Sequence, residues 1–265
     1  MKTEKKYPKD LFTGIYYPKQ KIVQFHIQMK NIIGSLAKIT RTLEELKVNL
    51  YSGFLTAYPE EETSHLCFIA DLTNDVTPEK ISEELKMLDV VLEVSFYLPQ
   101  VNGFMVDEYH FPLRILGERG LTFKVETMAK MFNELYSTFS SGASVILYEM
   151  GYSAGKYKIQ SIQKNYGLKG KEALTIVLAE RVTKGWCIPE IIKFDLSKSL
   201  AEVKVEELFE CLPFKGKEKE ARSQFFRGYL AGLFSELLSK EVMIIEEKCL
   251  AKGDDNCYFK VESKP

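Results

Sequence analysis

The sequence is poor in the features that define several large classes of protein. It contains three histidines, His26, His65 and His110, so any chemistry after position 110 must proceed without an imidazole. No window approaches the ~20 apolar residues that a membrane-spanning helix requires. The charged N-terminal residues are not followed by the apolar segment of a signal peptide. We therefore expect a cytoplasmic protein with no membrane partner.

An excess of charge of either sign is also missing. The 36 lysines and arginines are balanced by 37 aspartates and glutamates, which leaves a formal net charge of −1. A chain with this balance lacks the positive field that draws proteins to nucleic acids. No segment is typical of a helix-turn-helix, so we expect no direct nucleic-acid partner. Any role in transcription would require a partner protein.

The five cysteines do not form the pattern of a disulfide-stabilised secreted scaffold. Their number is odd and they are spread from Cys67 to Cys257, which favours free thiols or a metal site. Hydrophobic residues make up 45% of the chain and include 17 Phe and 14 Tyr, which argues against disorder. At roughly 150 residues per domain, the length indicates about two domains.

The first hundred residues predict an arm followed by a small domain. Residues 1–19 are rich in Lys, Tyr and Pro, and we expect them to dock on the body of the protein as an arm. Over residues 20–98 the apolar pattern predicts strand, helix, strand, strand, helix, strand, with Thr77 capping the second helix and Pro78 in its first turn. This order is the ferredoxin-like (βαββαβ) arrangement, also called split βαβ.

Two local sequences add a family resemblance to this pattern. With the loop NIIGSLAKI from Asn31, and with Asn49 opening the second strand, residues 20–98 resemble an ACT domain, a regulatory module that generally dimerises and often binds amino acids. Members often carry Asp-x-x-Gly between the first strand and helix, and Asn31 and Gly34 occupy those positions here. The resemblance implies a small-molecule site at these two residues. A module that only dimerises is the alternative.

Residues 99–112 carry Pro, Gly and Asn and little periodicity, which predicts a linker. A second domain, residues 113–265, follows with helical periodicity in its first half and mostly strand-like composition in its second. We expect an α+β fold in which helices pack on an antiparallel sheet. The predicted helices cover 125–139, 146–163, 172–182 and 223–238, and the predicted strands cover 188–195, 201–208, 242–249 and 257–261.

The segment EEKCLAKGDDNC carries the sharpest cluster of residues capable of chemistry. Glu246, Cys249 and Cys257 supply a carboxylate and two thiols, and the turn at residues 253–256 folds the two cysteines toward each other. Zinc suits such a set because it accepts thiolate and carboxylate ligands in tetrahedral geometry without histidine. The alternative is a pair of free cysteines at the ends of a hairpin, packed as small hydrophobic residues.

This cluster and the helix before it, SQFFRGYLAGLF, resemble the C-terminal signature of 4-vinyl reductase domains, and the likeness extends over residues 113–262. Members look like the Bet-type subunits of the TRAPP tethering complex and form the sensor part of bacterial activators of aromatic catabolism. Their zinc is held by a Cys, a Glu and two later Cys, which implies a structural zinc on the three residues just named. Ser223 takes the place of the first Cys, so water, Cys211 or an open position would complete the site.

Aromatic residues and methionines are concentrated in the second domain. The 4-vinyl reductase resemblance implies that they line a pocket for a small apolar or aromatic molecule. A plain core built from side chains at helical spacing is the alternative. The sequence G-Y-x-A-G occurs twice, from Gly151 and from Gly228, which predicts close helix packing or room for a ligand. The candidate ligand-binding residues are Phe132, Tyr136, Trp186, Phe226 and Tyr229.

The sequence as a whole predicts a non-catalytic sensor or regulator. The ACT-like module would make the chain a homodimer and offer an amino-acid site, and the 4-vinyl-reductase-like domain would bind the apolar ligand. No nucleotide-binding, hydrolase or metalloprotease motif is present. Two alternatives stay open: an accessory subunit of a reductase acting on a vinyl or other unsaturated group, and a scaffold or assembly protein.

Overall fold

A computed structural model describes residues 6–11, 13–72, 76–195 and 199–264. The chain divides into two compact units, Met1–Gly120 and Leu121–Pro265. Within the described ranges, no helix combines the length and the apolar character needed to cross a membrane.

The first unit is built on an antiparallel sheet with helices packed on one face. Its elements in chain order are β1 (Gly14–Tyr16), β2 (Ile22–Lys30), α1 (Ser35–Glu45), β3 (Asn49–Thr56), β4 (Thr63–Asp71), α2 (Pro78–Lys86), β5 (Val91–Tyr97), β6 (Phe104–Val106), β7 (Arg114–Ile115) and β8 (Glu118–Arg119).

The main sheet of this unit has the order β3-β4-β2-β5, and each pair in it is antiparallel. With α1 after β2 and α2 after β4, this is the ferredoxin-like topology, and that prediction is confirmed. The alternation along β2 explains the packing. Val23, Phe25 and Ile27 are buried and join the two helices through Ile39 and Ile81.

The predicted arm and linker contain paired strands, which the sequence did not predict. β1 pairs with β6, and Ile15 lies opposite Met105. Met105 is buried against Ile22 and Ile69, which alternate with the helix-facing residues and therefore lie on the other face of the sheet. Strands of three residues are too short to show a period, so only this tertiary contact defines them. The short hairpin β7–β8 occupies the segment in which the second domain was expected to begin.

The second unit packs helices on an antiparallel sheet, as predicted for the α+β class. The sheet has the order β11-β12-β10-β9 and shares one core with the helices. The elements are α3 (Val125–Phe139), α4 (Gly142–Tyr166), α5 (Gly170–Thr183), β9 (Ile188–Asp195), β10 (Leu200–Glu206), α6 (Gln224–Leu238), β11 (Val242–Lys248) and β12 (Cys257–Ser263).

Helices α4 and α6 cross at four glycines, two from each G-Y-x-A-G sequence. A Cβ built on Gly151 or Gly155 would overlap the backbone of α6, and one built on Gly228 or Gly232 would overlap the backbone of α4. The backbones approach this closely because glycine has no Cβ. The space beside each glycine is therefore filled by the other helix, which supports the close-packing interpretation of the repeated sequence.

Candidate metal and ligand sites

Three cysteine thiols converge at one buried point of the second unit. The sulfur atoms of Cys211, Cys249 and Cys257 all lie within 4.8 Å of one another, and Cys211 Sγ is 3.6 Å from Cys249 Sγ. Zinc–sulfur bonds of about 2.3 Å in a tetrahedron place neighbouring sulfurs roughly 3.8 Å apart. The observed spacing therefore suits a single tetrahedral metal ion.

Backbone contacts fix the two cysteines of the C-terminal hairpin. Cys249 follows β11 directly, and its N–H donates to Asp254 Oδ2 at 2.8 Å. Gly253 has a φ of 101°, a conformation that favours glycine and turns the chain back toward Cys257. The N–H of Leu250 donates to Cys257 Sγ at 3.4 Å. A donor directed at sulfur favours the thiolate, the form that binds metals.

Cys211 reaches the same point from the loop after β10. The preceding residue, Glu210, is buried and accepts hydrogen bonds from the backbone N–H groups of Phe225 at 2.8 Å and Phe226 at 2.9 Å. A carboxylate at the start of α6 complements the helix dipole. Glu210 thereby holds the loop against α6 and positions the neighbouring thiol.

Glu246 and Ser223 lie beside the thiols without good partners of their own. Both carboxylate oxygens of Glu246 and the hydroxyl of Ser223 are buried, and none makes a well-formed hydrogen bond with a described residue, although the two side chains are neighbours. Burial, and then the charge on Cys249, raises the pKa of Glu246 to about 9. A buried carboxyl group without a hydrogen bond is costly, so this site favours a cation.

The thiols do not ionise independently. Hydrogen bonds from Cys211 and Cys257 lower the pKa of Cys249. The hydrogen bond with Cys249, and then that with Cys257, raises the pKa of Cys211. Without a counter-charge the cluster favours one thiolate, whereas a divalent cation would favour the ionised form of all three.

The three thiols could hold a metal ion, and zinc accepts thiolate ligands in tetrahedral geometry. Glu246 lies near them but is not among the residues whose ligand atoms all lie within 4.8 Å of one another. Cys211 supplies the third thiol. From the sequence it was one of three alternatives for completing the site, beside water and an open position. It lies 38 positions before Cys249, and that spacing gives no signal of a shared site.

Five rings form a second cluster, the aromatic cluster: Phe132, Trp186, Phe209, Phe225 and Tyr229. The ring centroid of Trp186 lies 5.6 Å from that of Phe209, 5.7 Å from that of Phe225 and 5.5 Å from that of Tyr229. Phe132 lies 6.2 Å from Phe209 and 6.1 Å from Phe225. Trp186 and Phe225 are partly exposed and Tyr229 is buried, so the cluster runs from the surface into the core.

The turn after α5 places Trp186 in this cluster. Gly185 has a φ of 69°, and the N–H of Trp186 donates to the carbonyl of Arg181 at 2.9 Å. The N–H of Phe209 donates to the carbonyl of Trp186 at 2.8 Å. The guanidinium carbon of Arg181 lies 4.4 Å from the ring centroid of Trp186 and 5.1 Å from that of Tyr229. A cation thus stands at the inner end of the aromatic cluster.

The structure brings three of the predicted ligand residues into the aromatic cluster, places Phe226 against it and leaves Tyr136 outside it. Phe226 stacks on Tyr229, with ring centroids 6.0 Å apart, and also packs on Phe259 of the sheet at 5.7 Å. Tyr136 lies beneath the guanidinium of Arg222, whose Cζ is 4.4 Å from the centroid of the Tyr136 ring. The three that meet in the aromatic cluster are Phe132, Trp186 and Tyr229.

Sequence reasoning did not indicate Phe209 or Arg181, and it counted Phe225 among the aromatic residues that could line a pocket but not among the candidate ligand-binding residues. Phe209 lies in a loop, where no period indicates which way a side chain points. Phe225 and Phe226 are neighbours on α6, and only the packing of that helix decides which one faces the cluster. Arg181 is buried with 2% exposure, which is uncommon for arginine and has no sequence signal.

In the first unit, Asn31 holds the turn between β3 and β4. Its Nδ2 donates to the carbonyls of Tyr58 at 2.8 Å and Glu61 at 2.9 Å. Gly34 has a φ of 91° at the start of α1, and nothing lies within 4 Å of a Cβ built there. Glycine is therefore favoured at this position by the backbone conformation and not by a close neighbour. A cleft of about 560 Å³ is lined by Lys30, Asn31, Ile32, Pro59, Glu60, Glu61, Glu62, Thr63 and Leu92.

The three histidines also converge in the first unit, which the sequence did not predict. His26 Nε2 is 3.1 Å from His65 Nδ1, and the ring of His110 lies edge-on to His26 at 5.3 Å. His110 Nδ1 lies 2.8 Å from Asp107 Oδ1, which also accepts a hydrogen bond from Gln24 at 2.8 Å. These contacts fasten the segment after β6 to the sheet.

A family comparison agrees with the geometry of the second unit. Residues 201–263 match the 4-vinyl reductase domain family. The matched stretch runs from β10 to β12 and contains α6 and all three clustered thiols. The predicted resemblance to this family is confirmed by this match.

Individual proteins similar to this chain each match part of it. An uncharacterised protein of Methanocaldococcus jannaschii is 41% identical over 71 residues, which are 27% of this chain and 38% of that protein. The chain therefore spans well under half the length of that relative. The phenol-responsive sensory domain of the transcription activator PoxR, solved with phenol, is 16% identical over 56% of this chain and 79% of that domain, with a TM-score of 0.49. The ACT domain of a GTP pyrophosphokinase of Chlorobium tepidum is 14% identical over 30% of this chain and all of that domain, with a TM-score of 0.27.

Proposed function

We propose that the chain is a non-catalytic, cytoplasmic regulator that binds a small aromatic or other apolar molecule in its 4-vinyl-reductase-like unit. The observation that carries this proposal is the aromatic cluster, which leads from partly exposed Trp186 and Phe225 to buried Tyr229. Rings in edge and offset contact offer another aromatic ring about 0.5–1.5 kcal/mol per pair beyond the burial of its area. Three of the five rings lie within the stretch that matches the 4-vinyl reductase family.

Helix α3 is the element that a ligand would move. Of the residues in α3, Phe132 alone is buried, and its ring belongs to the aromatic cluster. A ligand inserted among the rings would displace Phe132 and take over its contacts with Phe209 and Phe225. Binding would then favour one position of α3, which is what a regulatory signal requires.

The single tryptophan of the chain makes this proposal testable by fluorescence. Trp186 is central to the cluster, so phenylacetamide and benzyl alcohol are expected to shift its emission saturably in the full-length protein. Phe209→Leu should weaken this binding by about tenfold, which corresponds to roughly 1.4 kcal/mol. Phe194→Leu is the matched control, because Phe194 packs on Phe234 with centroids 6.4 Å apart and is not one of the five rings. An unchanged emission with every compound would refute the proposal.

We further propose that Cys211, Cys249, Cys257 and Glu246 hold a structural zinc ion. The spacing of the thiols and the unpartnered Glu246 carboxyl support this set. Bound zinc would supply the charge that keeps the four groups ionised and would tie the loop after β10 to the C-terminal hairpin. Native mass spectrometry of the untagged protein should show one zinc per chain. A fully folded, metal-free protein after purification with added zinc would contradict it.

We propose that the ACT-like unit makes the chain a homodimer and binds an amino acid in the cleft beside Asn31. The cleft volume of about 560 Å³ is in the range of small-molecule sites. Native mass spectrometry should give twice the chain mass, and calorimetric titration with the twenty amino acids should identify a ligand. A monomer that binds none of them would contradict both parts.

A further inference from the structure

The inner end of the aromatic cluster is a group of charges with unequal numbers of each sign. The carboxylate of Glu180 forms ion pairs with Lys158 Nζ at 2.7 Å, with Lys184 Nζ at 2.7 Å and with Arg181 Nη2 at 3.1 Å. Three cations thus share one carboxylate. Among the described residues, no second carboxylate lies within ion-pair distance of these cations, and the group keeps a surplus of positive charge.

Most of this surplus is removed from water. The side chains of Arg181, Glu180 and Lys158 are 3%, 4% and 12% exposed, and that of Lys184 is 24% exposed. Desolvation by burial lowers the pKa of Lys184, and the neighbouring charges of Arg181 and Lys158 add to that effect. An unneutralised charge removed from water is strongly unfavourable unless an opposite charge meets it. The group is therefore incomplete in electrostatic terms.

Hydrogen-bond donors at the same point also lack partners. Arg181 Nε and the hydroxyl of Tyr229 are buried and make no well-formed hydrogen bond with a described residue, whereas Arg181 Nη2 has Glu180 Oε2 as its ion partner at 3.1 Å. Because Glu180 already meets Nη2, Nε is the guanidinium donor that remains for a further charge-assisted hydrogen bond. Buried donors of this kind are normally paired.

The cationic group and the aromatic cluster are continuous. Arg181 stacks on the rings of Trp186 and Tyr229, which are two of the five rings. A ligand that contacted both the rings and the cations would need a flat apolar part against the rings and a negatively charged hydrogen-bond acceptor near the guanidinium of Arg181.

We propose that the ligand of the aromatic cluster is an aromatic carboxylate. Its ring would lie among Trp186, Phe209 and Phe225, and its carboxylate would accept hydrogen bonds from Arg181 Nε and from the hydroxyl of Tyr229. This inference rests on the proposed function and adds the chemical class of the ligand. The anion would neutralise the buried surplus that Glu180 leaves.

Matched pairs of acids and amides test the inference in the unmodified full-length protein. Benzoate and benzamide, phenylacetate and phenylacetamide, and 3-phenylpropanoate and 3-phenylpropanamide have the same rings and differ in charge. At pH 7.5 at least one acid should shift Trp186 emission with an affinity about tenfold or more above that of its amide. Equal binding within each pair would overturn the inference and leave the proposed function intact. If no acid and no amide binds, both fail.

Arg181→Gln should reduce the preference for the acid over its amide to less than about threefold, because the acid loses a charge-assisted hydrogen bond and the amide only a neutral one. The matched control is Arg222→Gln, because Arg222 also lies 4.4 Å above an aromatic ring, that of Tyr136, but has Glu218 as its ion partner at 2.8 Å. Arg222→Gln should keep the full preference for the acid.

An unchanged preference for the acid in Arg181→Gln would overturn the role of Arg181. If that variant does not fold, Arg181→Lys, which keeps the charge but lacks the Nε donor, should lose most of the preference instead.

Discussion

Gly155 of α4 lies directly against the backbone carbonyl of Tyr229 on α6, so closely that a Cβ on the glycine would overlap the oxygen. The reverse contact occurs between Gly232 and the carbonyl of Tyr152. Because Tyr229 is also the innermost ring of the aromatic cluster, the helix crossing determines how deep that cluster extends. The packing of two glycine pairs and the geometry of the candidate ligand site are therefore linked.

Substituting these glycines should destabilise the second unit. Gly232→Ala forces α4 and α6 apart, and overpacking of this kind costs about 1–3 kcal/mol or more. Gly142→Ala is the control, because its Cβ would meet only the Cβ of Phe139 at 3.8 Å, and alanine favours the helix by about 1 kcal/mol. Urea unfolding followed by Trp186 emission measures both. Equal stability of the two variants would contradict the close-packing interpretation.

Loss of one clustered thiol should remove the proposed metal and destabilise the fold. Cys257→Ala should lose zinc in elemental analysis and several kcal/mol of unfolding free energy, since binding free energy of a structural zinc contributes to folding. Cys187→Ala is the matched control: Cys187 is also buried, but its sulfur is not part of the thiol cluster. That variant should keep one zinc per chain and lose about 1 kcal/mol.

Ser223 should prove dispensable for metal binding, whereas Glu246 should not. The hydroxyl of Ser223 is buried without a well-formed hydrogen bond to a described residue, so Ser223→Ala should leave the zinc content unchanged. Its unfolding free energy should stay equal or rise by up to about 1 kcal/mol, because an unsatisfied hydroxyl is removed. Glu246→Ala should lower the zinc affinity measured by competition with a chelator. The opposite pattern would make Ser223 the fourth ligand.

Asn31→Asp should destabilise the first unit rather than improve a ligand site. The substitution replaces an amide that donates to the carbonyls of Tyr58 and Glu61 with a carboxylate that cannot donate. Loss of both bonds should cost about 1–3 kcal/mol, seen as a lower melting temperature. Asn133→Asp on the exposed surface of α3 is the control and should change little. A stable Asn31→Asp variant that gains amino-acid affinity would show that the position serves ligand binding.

The histidine cluster predicts that the first unit loses stability in acid. Burial, and then the charges of His110 and His65, lowers the pKa of His26 below 6.5, while Glu93 and Asp107 oppose the shift. Below pH 6.5 the unfolded chain takes up a proton at His26 that the folded chain does not yet bind, so unfolding becomes more favourable as the pH falls. Calorimetry between pH 8 and pH 5.5 should show a falling melting temperature that is less steep in His26→Gln. The same slope in both proteins would exclude His26 as the cause.

Local signals in the sequence were sufficient for most of the secondary structure. Thr77 accepts a hydrogen bond from the N–H of Lys80, and Pro78 lies in the first turn of α2, as the capping pattern predicts. The helix α3 and the strand β9 begin and end at the residues that the apolar pattern indicates. The strand order of the first unit followed from the same succession of elements, because few topologies accommodate it.

The sequence by itself determined most of the elements, the fold class of each unit and three residues of the metal candidate, because these depend on periodicity, turn residues and spacing over a few positions. Only the tertiary structure decided which distant residues meet. It brings Cys211 to the hairpin thiols, Arg181 beneath Trp186, and three histidines to one face of a sheet. Such contacts depend on how loops and helices pack, and a linear pattern records no distance between residues that the fold alone brings together.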